Sequence, residues 1–257
     1  GSVKYREYIG NAGRGSRAKY FKDKLDGFIS KIDIHDFSIS IPKEGSSWIH
    51  QIPTLSSYKI DDTILEAKLL KKLAPGETTR IDINWTHHVG EMVERGGYYA
   101  GQYNMAQWYP KMVVYDEKGW HADVFHAEGE FYGEFGDFTV KFDLPKSFIV
   151  AASGVVIDGD PGWSDVIVDT SVDYNVWLDL NQSLLESKPD ESIRRNVTFY
   201  ANNVHDFAWV ASKDFLYEGG VSSDGETEVH VLYDKDRGED WTKVVLDRSI
   251  RAIDWLE

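Results

Sequence analysis

The chain of 257 residues contains no cysteine. That absence excludes a disulfide scaffold, a thiol nucleophile and a Cys-ligated zinc. It leaves the compartment open, because a protein without thiols suits oxidising and reducing surroundings equally. Positive charge is also scarce: 28 Lys and Arg stand against 43 Asp and Glu, for a formal net charge of −15. There is no dense basic run. Neither nucleic acid nor an anionic membrane surface is therefore an expected partner, since both require phosphate neutralisation. No segment approaches the roughly 18 uninterrupted apolar residues of a membrane span. The first residues lack a basic stretch followed by an apolar one, so no signal peptide is expected there.

What the chain has in quantity is aromatic side chains. Nine Trp, 14 Tyr and 12 Phe make up 14% of it. Such residues fill half-buried pleated surfaces and also line binding clefts. With 42% hydrophobic and 28% charged residues the composition is that of a globular protein rather than a disordered one. The length suits one large β domain or two smaller units.

Residues 3–27 are basic, Gly-containing and without periodicity, which predicts a long loop. Gly10-Asn11-Ala12-Gly13-Arg14-Gly15 lacks the preceding strand and the Gly-Lys-Ser/Thr ending of a phosphate loop. From residue 28 the period is two. Ile32 and Ile34 alternate with polar neighbours, and Ile39 and Ile41 continue with the opposite parity, which predicts a bulge near Asp36. Trp48 to Tyr58 reads as irregular. Tyr58 and Ile60 run to an Asp61-Asp62 turn, and Pro75-Gly76 marks another. Ile81, Ile83 and Trp85 then share one face of a strand. Phe138 to Leu144, Val197 to Ala201 and Val229 to Tyr233 are further strands, with Phe148 to Ile157 a strand-pair region. From about Asp240 the apolar Trp241, Val245, Ile253 and Leu256 recur at helical spacing, with Asp240 able to cap.

No residue pattern marks a complete catalytic site. His87 and His88 are neighbours at a strand end and point to opposite faces. His121 and His126, if on a strand, do the same. His205 suits a hydrogen-bonded turn. His35, His50 and His230 have no acidic or His partner at ligand spacing. No His-Glu-x-x-His occurs, so no metal site is expected in this chain. Ser153-Gly154 lacks the first Gly of a nucleophile elbow. Glu128 and Glu130 would share a strand face, as a glycosidase dyad could, in a chain where surface carboxylates are abundant. The densest segment is Tyr98 to Asp137, where aromatics, Gly and polar groups alternate without a clean core pattern. It suits a cleft wall, with Gln107 offering both donor and acceptor groups. It suits equally a long aromatic hairpin packed on its own domain.

Four blocks carry a resemblance. They are Ala106-Gln107-Trp108-Tyr109-Pro110-Lys111-Met112, Tyr115-Asp116-Glu117-Lys118-Gly119-Trp120-His121, Gly133-Glu134-Phe135-Gly136-Asp137-Phe138 and Val204-His205-Asp206-Phe207-Ala208-Trp209. In this order they resemble the amino-terminal β domain of the aminopeptidase-N-like (gluzincin) zinc metallopeptidases, bacterial branch. The resemblance implies an all-β, saddle-shaped, multi-sheet β-sandwich-like domain that covers a separate catalytic domain. It implies a peptide substrate, bound together with that catalytic domain. It implies that zinc belongs to the catalytic domain, with no cofactor in this chain. It further implies an extracytoplasmic location, periplasmic or secreted. Gln107 matches a Gln that lines the pocket for the substrate's first side chain. Two residues later many members carry an acidic or amide group that grips the free amine. Here that position is Tyr109, a phenol that accepts a hydrogen bond but supplies no charge near neutral pH.

The expected organisation follows. Residues 1–27 are a basic loop or partial N-terminal segment, residues 28–239 the β domain, and residues 240–257 the start of a helix of the catalytic domain. The expected function is the substrate-cleft-covering domain of a zinc-dependent peptidase, an aminopeptidase by resemblance, and not hydrolytic alone. The alternative is a non-enzymatic, aromatic-rich module that binds peptide or carbohydrate.

Overall fold

The computed structural model describes residues 30–43, 47–54, 56–91, 95–124, 132–187 and 190–256. The basic segment 3–27, His126, and the pair Glu128 and Glu130 lie outside the described residues. The chain is mainly antiparallel β. In order it forms β1 (Lys31–Lys43), β2 (Ser47–Gln51), β3 (Tyr58–Asp61), β4 (Ile64–Ala67), β5 (Arg80–His88), β6 (Gly90–Glu91), β7 (Gly97–Tyr99), β8 (Gln102–Met105), β9 (Tyr115–Asp116) and β10 (Gly119–Trp120). There follow β11 (Gly136–Pro145), β12 (Ile149–Ala152), β13 (Val155–Gly159), helix α1 (Tyr174–Glu186), β14 (Arg194–Val204), β15 (Trp209–Ser212), β16 (Phe215–Val221), β17 (Glu228–Asp234), and helices α2 (Gly238–Trp241) and α3 (Val244–Leu256). By contacts the chain divides into two units, Gly1–Met92 with Trp108–Glu134, and Val93–Gln107 with Phe135–Glu257.

In the first unit β1 lies between β2 and β5. Its inward residues Phe37, Ile39 and Ile41 are buried, and Tyr58, Leu65 and Ile83 pack on them. Side chains buried this fully stabilise a fold by about 1.5–3 kcal/mol each. The expected bulge is present: pairing with β5 shifts register between Ile34 and Asp36, leaving His35 as the extra residue. That one residue reverses the parity of the apolar face, which is why the Ile32/Ile34 and Ile39/Ile41 pairs fall out of phase. The segment expected to be irregular contains β2, paired with β1 from Ile39↔Gln51 to Lys43↔Ser47. The reason it reads poorly is Gln51. This residue takes a buried inward position that an apolar side chain would ordinarily fill, and its amide donates to the Lys68 carbonyl at 2.7 Å and accepts from the Leu70 N–H at 3.0 Å.

In the second unit β14 lies between β11 and β13, and β12, β15, β8 and β7 run side by side in another sheet. The sheets meet through aromatic rings. Phe142 of β11 packs edge-on to Phe199 of β14 at 5.8 Å and to Trp209 of β15 at 5.5 Å. The clean alternation of Phe138 to Leu144 therefore does mark one core-facing side of a sandwich-like pair. The Phe148 to Ile157 region resolves into two strands that belong to different sheets rather than to one hairpin. Gly154 makes the crossing between them possible. Its φ is +81°, and a Cβ there would collide with the Tyr200 main-chain carbonyl.

Two helical features depart from expectation. Helix α1 was not anticipated, although its signals are present. The Asp173 carboxylate accepts from the Asn175 and Val176 N–H groups, and Tyr174 and Trp177 bury one face. They join Val168, Leu216, Val231 and Tyr233 in one core cluster. The expected C-terminal helix is present but does not begin at Asp240. Asp240 sits inside the short α2, the chain breaks at Thr242 and Lys243, and α3 starts at Val244. Lys243 takes a left-handed φ of 65°, and its N–H donates to the buried Glu218 carboxylate at 3.0 Å. The cap therefore comes from a strand distant in sequence, which a local reading cannot anticipate.

Candidate functional site

The block that carries the resemblance begins where β8 ends. Met105, 2% exposed, pairs opposite Trp209 and anchors the strand. Gly96 N–H donates to the Asn104 carbonyl at 2.5 Å and ties down the neighbouring turn. Two residues beyond Met105 the backbone of Gln107 turns left-handed, with φ 56°, and its side chain is half-buried. A non-Gly residue held in this region costs about 1–3 kcal/mol and persists where its surroundings over-determine it, often at functional sites. Gln107 ends its segment of the second unit, and Trp108 begins a segment of the first.

In the first unit Tyr109 is half-buried. Its ring meets the Trp108 ring edge-on at 5.4 Å, and Trp108 in turn lies 6.5 Å from Trp85 of β5. His87, two residues along β5 and hence on the same face as Trp85, hydrogen-bonds Ser30 Oγ through Nε2 at 2.7 Å. Burial holds its imidazole below the usual range, opposed by the Trp108 main chain and helped by the nearby His88. Trp85, His87, Trp108 and Tyr109 therefore form a mixed aromatic and polar surface. It offers flat apolar faces and an imidazole whose burial favours the neutral form.

Further along, β9 and β10 form a tight hairpin. Tyr115 and Trp120 pair across it with ring centroids 4.9 Å apart, and both are more than half exposed. On the other register pair Asp116 accepts from the Lys118 N–H at 2.8 Å, and His121 Nε2 lies 2.8 Å from its Oδ2. Those two contacts, the His121 one foremost, hold the Asp116 carboxyl below the ordinary carboxylate range. The His121 ring stands edge-on to Tyr132 at 5.0 Å. Residues 121–124 are not in a strand, so opposite strand faces do not describe His121. The segment thus contains a short aromatic hairpin together with a half-buried aromatic turn.

The other histidines among the described residues have identifiable neighbours. His35 bonds Thr86 Oγ1 at 2.7 Å, His50 bonds Ser40 Oγ at 2.9 Å, and His88 Nε2 lies 2.8 Å from Asp33. His205 sits in a bend beside the Phe135 ring. His230 does have an acidic neighbour, contrary to expectation: Glu228, two residues earlier on the same strand face, lies 3.4 Å away. The two meet because strand residues at i and i+2 share a face. Among the described residues no group of three or more His, Asp or Glu could hold a metal ion. Ser153 Oγ accepts from the Ala208 N–H at 3.0 Å, a structural tie. Arg195, buried on β14, is held by Asp160, by Asp165 at 2.7 Å and by the Lys146 carbonyl at 3.0 Å. Neither its burial nor its two carboxylate partners could be read from sequence spacing.

The chain matches no protein-family model and no curated protein. No helix among the described residues is long and apolar enough to cross a membrane.

Proposed function

We propose that this chain is the substrate-cleft-covering β domain of a zinc-dependent peptidase of the aminopeptidase-N-like type, not hydrolytic alone. The observation that carries the reading is Gln107. It lies in the block that resembles the cleft loop of that family, and it holds a left-handed backbone that a glutamine adopts only at a cost. A half-buried amide supplies one acceptor and two donors to a peptide main chain or side chain. Tyr109, its ring edge-on to Trp108, is the second residue of that block and adds apolar area with a hydroxyl at its tip. The chain's contribution is to orient the peptide and exclude water, which turns binding into positioning. Zinc, held by the parent's catalytic domain, would supply an activated water there. An extracytoplasmic location belongs to the same proposal.

The test has two parts. In the parent gene, the sequence downstream of Glu257 should contain His-Glu-x-x-His followed by a distal Glu; a downstream sequence without them removes the peptidase reading. In the intact parent, Gln107→Ala should weaken substrate use and leave zinc content unchanged. Unaltered kinetics would remove Gln107 from the site.

A second reading is favoured by a different observation, the exposed ring pair Tyr115 and Trp120 on its own hairpin. Adjacent exposed aromatic faces stack on sugars as well as on peptides. Tryptophan fluorescence titration with oligosaccharides and with peptides separates the two. A sugar response without a peptide response favours a binding module.

A further inference from the structure

The connection from β4 to β5 contains Lys68-Leu69-Leu70-Lys71-Lys72-Leu73. Leu73 packs on the core of the first unit. Leu69 and Leu70 do not: they are 37% and 69% exposed. The main chain beneath them is nonetheless pinned on both sides. The buried Gln51 amide holds the Lys68 carbonyl and the Leu70 N–H. Glu77 accepts from Lys71 Nζ at 2.8 Å and from the Ala74 N–H at 2.7 Å. Ile52, the neighbour of Gln51, is 79% exposed. The fold therefore fixes a bend that presents leucines to water. Adjacent exposed leucines on a fixed bend, rather than scattered ones, mark a contact surface.

Charge decides the partner. The chain as a whole carries a net charge of −15, which argues against an anionic surface. Locally the sign is reversed. Glu66 and Glu77 are matched by Lys59 and Lys71. Lys68 and Lys72 are exposed and have no ion-pair partner among the described residues. Lys71 Nζ also reaches the Pro42 carbonyl at 3.5 Å, which places the exposed Lys43 beside the bend. Asp61 and Asp62 sit at the far end of β3 and β4. Four strand residues put them about 13 Å away, beyond the roughly 8 Å over which physiological salt leaves charges coupled. Two leucines ringed by lysines suit an anionic bilayer. The apolar side chains enter the acyl boundary, and the lysine stems keep their ammonium groups among the headgroups. A bend of this size falls far short of the roughly 20–30 residues a side of a standard protein interface.

We propose that the Lys68–Lys72 bend docks the chain on an anionic membrane surface, with Leu69 and Leu70 inserted and Lys43, Lys68 and Lys72 at the headgroups. The proposal is independent of the peptidase reading. The experiment is flotation of the full chain with vesicles of phosphatidylcholine alone and with vesicles of equal parts phosphatidylglycerol and phosphatidylcholine. The chain should float with the anionic vesicles, and raising the salt should weaken its binding. Each lysine near such a surface accounts for about fivefold in affinity, so Lys68→Gln with Lys72→Gln should lower binding about 25-fold. Leu70→Ser should lower it about tenfold. All three exchanges are at exposed side chains and keep the main-chain contacts to Gln51. The proposal is overturned if the chain floats with neither vesicle, which leaves the surface to an acidic protein partner, or if it floats equally with both. It is also overturned if the lysine variant binds undiminished, or if the leucine variant does, since adsorption by charge alone needs no inserted leucine.

Discussion

Glu218 ties a strand of the second unit to its C-terminal helix. It is 3% exposed on β16 and has two structural tasks. Its Oε1 accepts from the Tyr233 hydroxyl at 2.5 Å, and its Oε2 accepts from the Lys243 N–H at 3.0 Å, where α3 begins. Tyr233 is itself 3% exposed, so its hydroxyl has little access to water. A hydrogen bond to a charged group contributes about 1.5–3 kcal/mol. A cap on a helix N-terminus contributes about 1 kcal/mol more. Glu218→Ala should therefore cost about 3 kcal/mol, since Tyr233 can still turn to Thr242 Oγ1 at 3.1 Å. Glu218→Gln keeps the shape and one acceptor, and should cost only about 1–2 kcal/mol. The assay is urea unfolding of the three proteins, with the midpoint shift read at constant slope. Two outcomes would defeat the reasoning: a loss under about 1 kcal/mol for the alanine variant, or an amide variant as damaged as the alanine one. A double-mutant cycle with Tyr233→Phe would then isolate the phenol contact from the cap.

Three further outcomes are expected. Burial, with Glu218 as second cause, pushes the Tyr233 phenol well above its ordinary value, and burial raises Tyr174 and Tyr217 as well. Their contribution to stability is complete below about pH 10, where the unfolded phenol titrates, and is lost as pH rises through the folded values. Tyrosinate absorbance of the chain and of its Tyr174→Phe, Tyr217→Phe and Tyr233→Phe variants should therefore show these three phenols ionising late and together with unfolding; early, reversible titration of the three would contradict their burial. Gln107→Gly should relieve the left-handed backbone and raise stability by about 1 kcal/mol in thermal unfolding; if the chain is the peptidase domain proposed above, it should also lower substrate use in the whole enzyme. Gly154→Ala should cost about 3 kcal/mol or fail to fold, because a Cβ there strikes the Tyr200 carbonyl, and circular dichroism of the purified variant reads the result.

Much of the β architecture is legible because a period of two is a physical consequence of strand geometry. The runs around Ile39, Phe142, Phe199 and Val231 all become buried strand faces. Even the bulge at His35 is written in the sequence, as a change of parity. What escapes is of two kinds. One is structure whose inward positions are polar: Gln51 in β2 is bonded to main chain that lies 17 and 19 residues away. The other is support that arrives from far along the chain, as when Glu218 caps α3 or Asp160 and Asp165 neutralise Arg195. Helix α1 belongs to neither kind. Its capping Asp173 and its spacing of Tyr174, Trp177 and Leu178 are ordinary helix signals.

The candidate site divides along the same line. The residue types at Gln107 and Tyr109 are visible in the sequence, but the left-handed turn at Gln107 is not, since nothing local demands it. Asn or Gly would hold that turn at less cost. A glutamine retained there gives up about 1 kcal/mol or more of stability, and its side chain supplies what a glycine lacks: an amide on a fixed backbone. If that amide serves only the fold, Gln107→Asn should match or exceed the original chain in stability without loss of substrate use in the parent. If it serves the substrate, the shorter amide should stabilise the chain and still impair turnover, because its donor and acceptor no longer reach the same place. That opposition between stability and activity is the signature to look for, and a fold-only role cannot produce it.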